Sequence, residues 1–209
     1  MIKASDCHRQ DQIVRASTQN WTLEMIGLKR DVVEVVAHDP TWTMLAVDAC
    51  KAVRTACGEL IVDLQHVGST AVPDLPAKPI LDIAAAVVTF DAMPGIIRHL
   101  TRIGYLYRGD HGSAGGHVFV AESSPDVRTI HLHVVEYSGS QWRSYLLFRD
   151  LLRHKPMLRK RYAGLKRDLM TMHRDDRESY TAAKAEFIRE ALDNNVVRTD
   201  DSVNEIPAE

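Results

Sequence analysis

Apolar and polar residues change period several times along these 209 residues, and each change marks an element. After Asp39-Pro40-Thr41, the residues Trp42, Leu45, Ala46, Ala49, Val53 and Cys57 recur at helical spacing until Gly58 ends the run. Residues 61–67 alternate as a strand does. Residues 79–88 are a near-continuous apolar run behind a proline, too short for a buried helix, and read as a central strand covered on both faces. Residues 32–36 fit a short strand, 94–103 a helix closed by Gly104, and 105–108, 117–121 and 129–136 further strands; the glycine-rich stretch 109–116 reads as a mobile loop. From Ser140 the period becomes helical, over 140–154, over 156–173 with Pro156 in the first turn, and over 177–194. The pattern predicts an α/β (α+β) domain with a central mixed, largely antiparallel sheet flanked by helices, and C-terminal helices walling one side of a cleft.

Residues 1–29 are polar without a sustained period and read as an extension, disordered or with a short helix around 21–26; residues 196–209 read as an acidic tail. The domain then spans 30–195. With 45% hydrophobic residues the chain can bury one sizeable core, which favours one domain.

Charge adds a local feature rather than a global one. A formal net charge of −2 gives no overall bias towards nucleic acid or an anionic membrane, and nucleic acid is not an expected partner. Residues 143–177, however, hold eleven Lys/Arg against four Asp/Glu, which is either a solvated helix face or an anion-binding surface. Cys7, Cys50 and Cys57 are odd in number and lack metal-ligand spacing, so reduced thiols are expected. No apolar run is long enough to span a bilayer and the polar start lacks a secretory hydrophobic region, so the expectation is a cytoplasmic protein without a membrane partner.

The chemistry concentrates in Gln65-His66-Val67-Gly68-Ser69-Thr70-Ala71-Val72-Pro73, followed by Lys78-Pro79-Ile80-Leu81-Asp82-Ile83. A Gly-Ser turn stands a fixed distance before a single acid, Asp82, in an apolar strand where a carboxylate is costly unless a metal, a hydrogen bond or a cation receives it. Gly68 lets backbone N–H groups approach phosphate oxygens, Ser69 and Thr70 add hydroxyl donors, and Asp82 could hold a divalent cation against the same phosphates. His66 before the turn is either a phosphate donor or a satisfied structural residue, and Lys78 in a proline-flanked loop is either a phosphate partner or solvated. His131 and His133 alternate on one strand face, as metal ligands, a proton-transfer pair or a hydrogen-bonded structural pair; Glu136 has the opposite parity.

Several ordered blocks resemble the GrpB family, a branch of the polymerase-beta-like nucleotidyltransferase superfamily. They are Val33-Glu34-Val35-Val36 with Asp39-Pro40 and Trp42, His66 to Pro73, Ala77 to Ile83, His131-Leu132-His133-Val134-Val135-Glu136, Phe148-Arg149-Asp150-Leu151-Leu152-Arg153, and Tyr180 with Lys184 and Phe187-Ile188. The resemblance implies a nucleoside triphosphate as substrate with Mg2+ or Mn2+, held by Asp82 with His131 or His133 completing the metal shell or acting as general base. Working members of the superfamily bring three carboxylates to two metals, whereas the partner position on Asp82's face is Ala84. One metal, a shell completed by other residues, or nucleotide binding without transfer are all compatible with that departure.

The helical C-terminal part supplies further cations. Tyr180, Lys184, Phe187, Ile188 and Ala191 share one helix face, so Lys184 must snorkel or meet an anion. Arg149 and Arg153 lie one turn apart, either facing a phosphate or tying the helix to the sheet in ion pairs. With the resemblance, these residues imply a metal-dependent nucleotidyltransferase-like enzyme acting on a nucleoside triphosphate and a small-molecule acceptor. The alternatives are a non-catalytic nucleotide- or protein-binding module and, last, RNA end modification, which lacks aromatic residues interleaved with the basic ones.

Overall fold

The computed structural model describes residues 26–112, 116–174 and 176–200, with side chains through Asn195. Its elements run β1 (Leu28–Lys29), α1 (Thr41–Cys57), β2 (Asp63–Val67), β3 (Leu81–Val87), α2 (Met93–Arg102), β4 (Leu106–Asp110), β5 (His117–Ser124), β6 (Val127–Glu136), α3 (Ser140–His154), α4 (Pro156–Met172) and α5 (Arg177–Asp200). The strands form one sheet in the order β2-β3-β6-β5-β4, with β1 also paired to β6. All pairs are antiparallel except β3 with β6. The mixed, largely antiparallel α+β architecture is the one the periodicity predicts. Among the described residues, no helix is long and apolar enough to cross a membrane.

The continuous apolar run of β3 follows from its place. It is hydrogen-bonded to β2 on one side and β6 on the other, and helices cover both faces. One face carries Ile83, Ala85 and Val87 with Leu132 and Val134 of β6, packed against Val53 and Cys57 of α1 and Ile96 and Leu100 of α2. On the opposite face Ala84, Ala86 and Val135 meet Trp142 of α3. Helix α1 starts where the Asp39 carboxylate accepts the Thr41 backbone N–H at 2.9 Å and its hydroxyl at 2.7 Å. It stops at Gly58, whose φ of 54° breaks the helical path.

Four expectations are corrected. Residues 32–36 form no strand: Val36 makes an isolated bridge to Ala77, while Val33 is buried against Leu169 of α4 and Tyr180 of α5. Ile26 and Leu28, read as part of a polar extension, are buried, and β1 docks on β6 through Leu28 opposite Arg128. Gly109 and Asp110 belong to β4, and Asp110 pairs with His117, so the strand enters what reads as a loop. Helix α5 reaches Asp200, inside the segment read as an acidic tail. The short helix expected at 21–26 falls, apart from Ile26, outside the described residues, as do Cys7 and residues 201–209.

Helix α3 is tied to the end of β2 by two arginines. Arg149 donates to Gln65 Oε1 at 3.0 Å and to the His66 carbonyl at 3.2 Å while pairing with Asp150. Arg153 donates twice to the Ala71 carbonyl, at 3.0 and 2.8 Å. Arg153→Met takes both donors from that buried carbonyl, so its urea denaturation should show a loss of about 1–3 kcal/mol. Lys160→Met, at an exposed position of α4, should stay within about 0.5 kcal/mol of wild type.

Candidate functional site

Strand β2 ends at Val67, opposite Asp82, and the chain turns through Gly68 into a short 3-10 turn over Ser69–Ala71. Gly68 has φ 68°, and a Cβ there would lie 2.4 Å from Asp82 Oδ2 and 2.9 Å from Asp82 Cβ. Both the backbone conformation and the contact therefore require glycine. The turn closes directly on the carboxylate.

Register places the histidines. Asp82 pairs with His131 and Ala84 with His133 across the parallel β3–β6 ladder, so all four residues share one face. His131 Nδ1 lies 3.3 Å from Asp82 Oδ1 and His133 Nε2 4.0 Å from the same oxygen. His131 Nε2 is buried without a hydrogen-bond partner. Burial acts to raise the Asp82 pKa, but the His131 hydrogen bond and the charges of His131, His133 and Lys184 outweigh it and hold the carboxyl below its usual range. Asp82 is thus an anion, open to the cavity in front of it with a side-chain exposure of 35%.

That cavity has a volume of about 260 Å³. Ser69, Thr70, Lys78, Asp82, His131, His133, Tyr180 and Lys184 all line it. Sequence reasoning missed five further cations on its wall: Lys29, Arg30, Arg128, Lys166 and Arg177. Lys166 is the most deeply placed, 2% exposed, and donates to Ser69 Oγ at 3.1 Å and to the Pro76 carbonyl. Its signal was present: Tyr162, Lys166 and Leu169 are the buried face of α4, the same lysine-in-an-apolar-stripe pattern that singled out Lys184. Lys78 Nζ and Lys184 Nζ lie over the Tyr180 ring, 4.3 and 4.4 Å from its centre.

Burial lowers all three lysines, Lys78 to about 7, Lys166 to about 7 and Lys184 to about 8. Lys184 adds repulsion at Lys78 and Lys166, Arg177 adds repulsion at Lys78 and Lys184, and Asp82 opposes the shift in each. Among the described lining residues Asp82 is the one carboxylate, and although Asp31 and Glu122 act on Arg177 and Arg128, cations outnumber acids around a cavity suited to an anion.

The other predicted residues stand behind the wall. His66 Nε2 is 2.9 Å from Thr70 Oγ1, and burial lowers the ring to about 4 despite Asp82, so it is a neutral support for the turn. Arg149 and Arg153 spend their donors on the β2 end and the turn, as described above, and do not line the cavity. A metal centre finds less support. Among the described residues no three His, Cys, Asp or Glu side chains are grouped to hold an ion, and both histidines turn a nitrogen to Asp82 itself. The residues present do not fit a metal shell supplied by the protein.

Two outcomes follow from this geometry. Gly68→Ala forces Asp82 aside and should lower stability by about 1–3 kcal/mol in chemical denaturation. Lys166 favours its neutral form in the folded state, whereas in the unfolded chain it titrates near 10.4. Protonation of the folded form is therefore penalised below about pH 7, and the penalty is relieved as pH rises from there to about 10. The melting temperature of the ligand-free wild type should rise relative to Lys166→Met across that window, and a parallel pair of curves would contradict the assignment.

Comparison with known proteins covers the same region. The GrpB protein family model matches residues 32–194. The crystal structure of the conserved protein GrpB from Enterococcus faecalis aligns with a TM-score of 0.68 at 30% identity, over 77% of this chain and 98% of that one. The glutamate-rich protein GrpB of Alkalihalophilus pseudofirmus is 33% identical over 171 residues, 80% of this chain and 98% of the relative. YqkA of Bacillus subtilis is 32% identical over 162 residues, which is 78% of this chain but 47% of YqkA, so the chain spans about half of that relative's length. The family match runs from the segment before α1 into α5, and the chain belongs to the GrpB family.

Proposed function

We propose that the protein is a nucleotidyltransferase-like enzyme that holds a nucleoside triphosphate by its phosphates in this cavity and transfers the nucleotidyl group to a small-molecule acceptor. The observation that carries the reading is the closure of the Gly68–Thr70 turn on Asp82 with Lys166 bridging to Ser69, which puts phosphate donors and a carboxylate in one place. Lys78, Lys166 and Lys184 would neutralise the charge that builds on the leaving pyrophosphate. Asp82, an anion with His131 hydrogen-bonded to it, would take the proton of the acceptor hydroxyl as it attacks the α-phosphorus. His131 would orient that carboxylate through Nδ1. No step is assigned to magnesium or manganese, since an ion carried in by the phosphates would meet Asp82 as its one carboxylate.

Ala84 favours a second reading, a module that binds a nucleotide without transferring it. Fully buried in the Trp142 cluster and opposite His133, it replaces the second acid that the superfamily resemblance implies.

Pyrophosphate release from each of the four ribonucleoside triphosphates, in the presence of pooled small alcohols and amines, separates the two. The enzyme reading expects release from at least one triphosphate and a loss of about 100-fold or more in Asp82→Asn, the scale of a lost general base. Binding seen by calorimetry without release under any condition supports the module. Failure of every triphosphate to bind overturns both.

A further inference from the structure

We propose that the cavity grips a phosphate chain with the protein's own ammonium groups and needs no divalent metal to do so. The proposal deepens the reading above and rests on its assignment of the cavity to phosphates.

The charges on the wall argue for it. Among the described residues, its lining includes seven Lys/Arg and one carboxylate, Asp82. A site that recruits divalent ions to phosphates does so with several acids, which concentrate cations and leave the ions' remaining charge for the ligand. Here β3 offers no second acid, because Ala84 lies fully buried in the cluster with Trp142. The neighbouring strand offers imidazoles, His131 and His133, that already turn to Asp82. An incoming bare divalent ion would meet one anion and a surrounding excess of positive charge.

The ammonium groups are also held in place before any ligand arrives. Lys166 is fixed by Ser69 Oγ and the Pro76 carbonyl, at the turn itself. The Tyr180 ring holds Lys78 and Lys184 on an aromatic face, 4.3 and 4.4 Å from its centre. Three point charges arriving from the loop before β3, from α4 and from α5 thus converge on one volume of about 260 Å³. Arg128 adds a buried Nε with no hydrogen-bond partner. Donors placed in advance at the position of the anion need no reorganisation when it binds. Burial is the main cause of the depressed lysine titrations, with repulsion from Lys184 and Arg177 adding to it, and a bound anion would oppose both.

The sign of one substitution distinguishes this arrangement from a metal-bridged one. If metal links Asp82 to the phosphates, Asp82→Asn weakens binding; if lysines alone hold them, it removes a like charge and strengthens binding. Calorimetric titration of the full chain with inorganic tripolyphosphate and with ATP, each in EDTA and in magnesium, reads this directly. Tripolyphosphate should bind in EDTA, magnesium should change its affinity by less than about threefold, and Asp82→Asn should bind it more tightly. Lys184→Met and Lys166→Met should each weaken binding by about tenfold or more, the scale of a lost charge partner in an enclosed site; Lys184→Met keeps its apolar stem and serves if Lys166→Met folds poorly. Binding of both ligands only with magnesium, or weaker binding by Asp82→Asn, overturns the proposal while leaving the nucleotidyltransferase reading intact. Metal-free binding of tripolyphosphate with no binding of ATP or the other nucleoside triphosphates upholds it and removes that reading.

Discussion

The contact between Gly68 and Asp82 is the one on which the rest of the site depends. With no Cβ on Gly68, the turn after β2 lies against the Asp82 carboxylate, and any other residue would put a carbon 2.4 Å from its Oδ2. That closeness brings Ser69 to the mouth of the strand pair, where Lys166 can bridge it to Pro76. It also leaves Asp82 Oδ1 for His131, because the β3–β6 register sets the two residues side by side. A turn, a carboxylate and an imidazole are thus positioned by backbone pairing alone, before any helix is considered.

Helices α4 and α5 then change the sign of the cavity. A lone carboxylate at the end of an apolar strand would attract cations, but Lys166, Lys184 and Arg177 arrive from those helices and Lys78 from the loop before β3. Their stems pack among aromatic rings: Lys166 Nζ lies 4.8 Å from the centre of Tyr162, and Lys78 and Lys184 lie over Tyr180. Burial beside aromatic faces lowers their affinity for protons, and an anion entering the cavity would raise it again by stabilising the ammonium forms.

The sheet also explains why the second acid is absent from this place. Trp142 of α3 packs on the small side chains Ala84 and Ala86, so the face beyond Asp82 is closed to solvent. An acid at position 84 would be buried beneath α3, where an unpaired carboxylate is costly. Packing of α3, held down by Arg149 and Arg153 on the β2 end and the turn, and reduction to one carboxylate are therefore two aspects of one arrangement.

The sequence by itself determined the elements and the chemistry within each: the period of α1, the apolar run of β3, the helices after Ser140, the glycine before Asp82, and the shared face of His131 and His133. Each rests on local periodicity or on the cost of burying a charge, and both can be read within a few residues. It also carried a lysine on the apolar face of α5, and the matching lysine of α4 could be read by the same rule. Tertiary structure decided which cations meet. Arg149 and Arg153 have the residue type and spacing of phosphate ligands, but their donors end on Gln65 and the carbonyls of His66 and Ala71; Arg128, in a strand, becomes part of the wall because β1 docks beside it. Long-range packing chooses among chemically equivalent arginines and lysines, since nothing in the local pattern states which helix will cross the open end of β3.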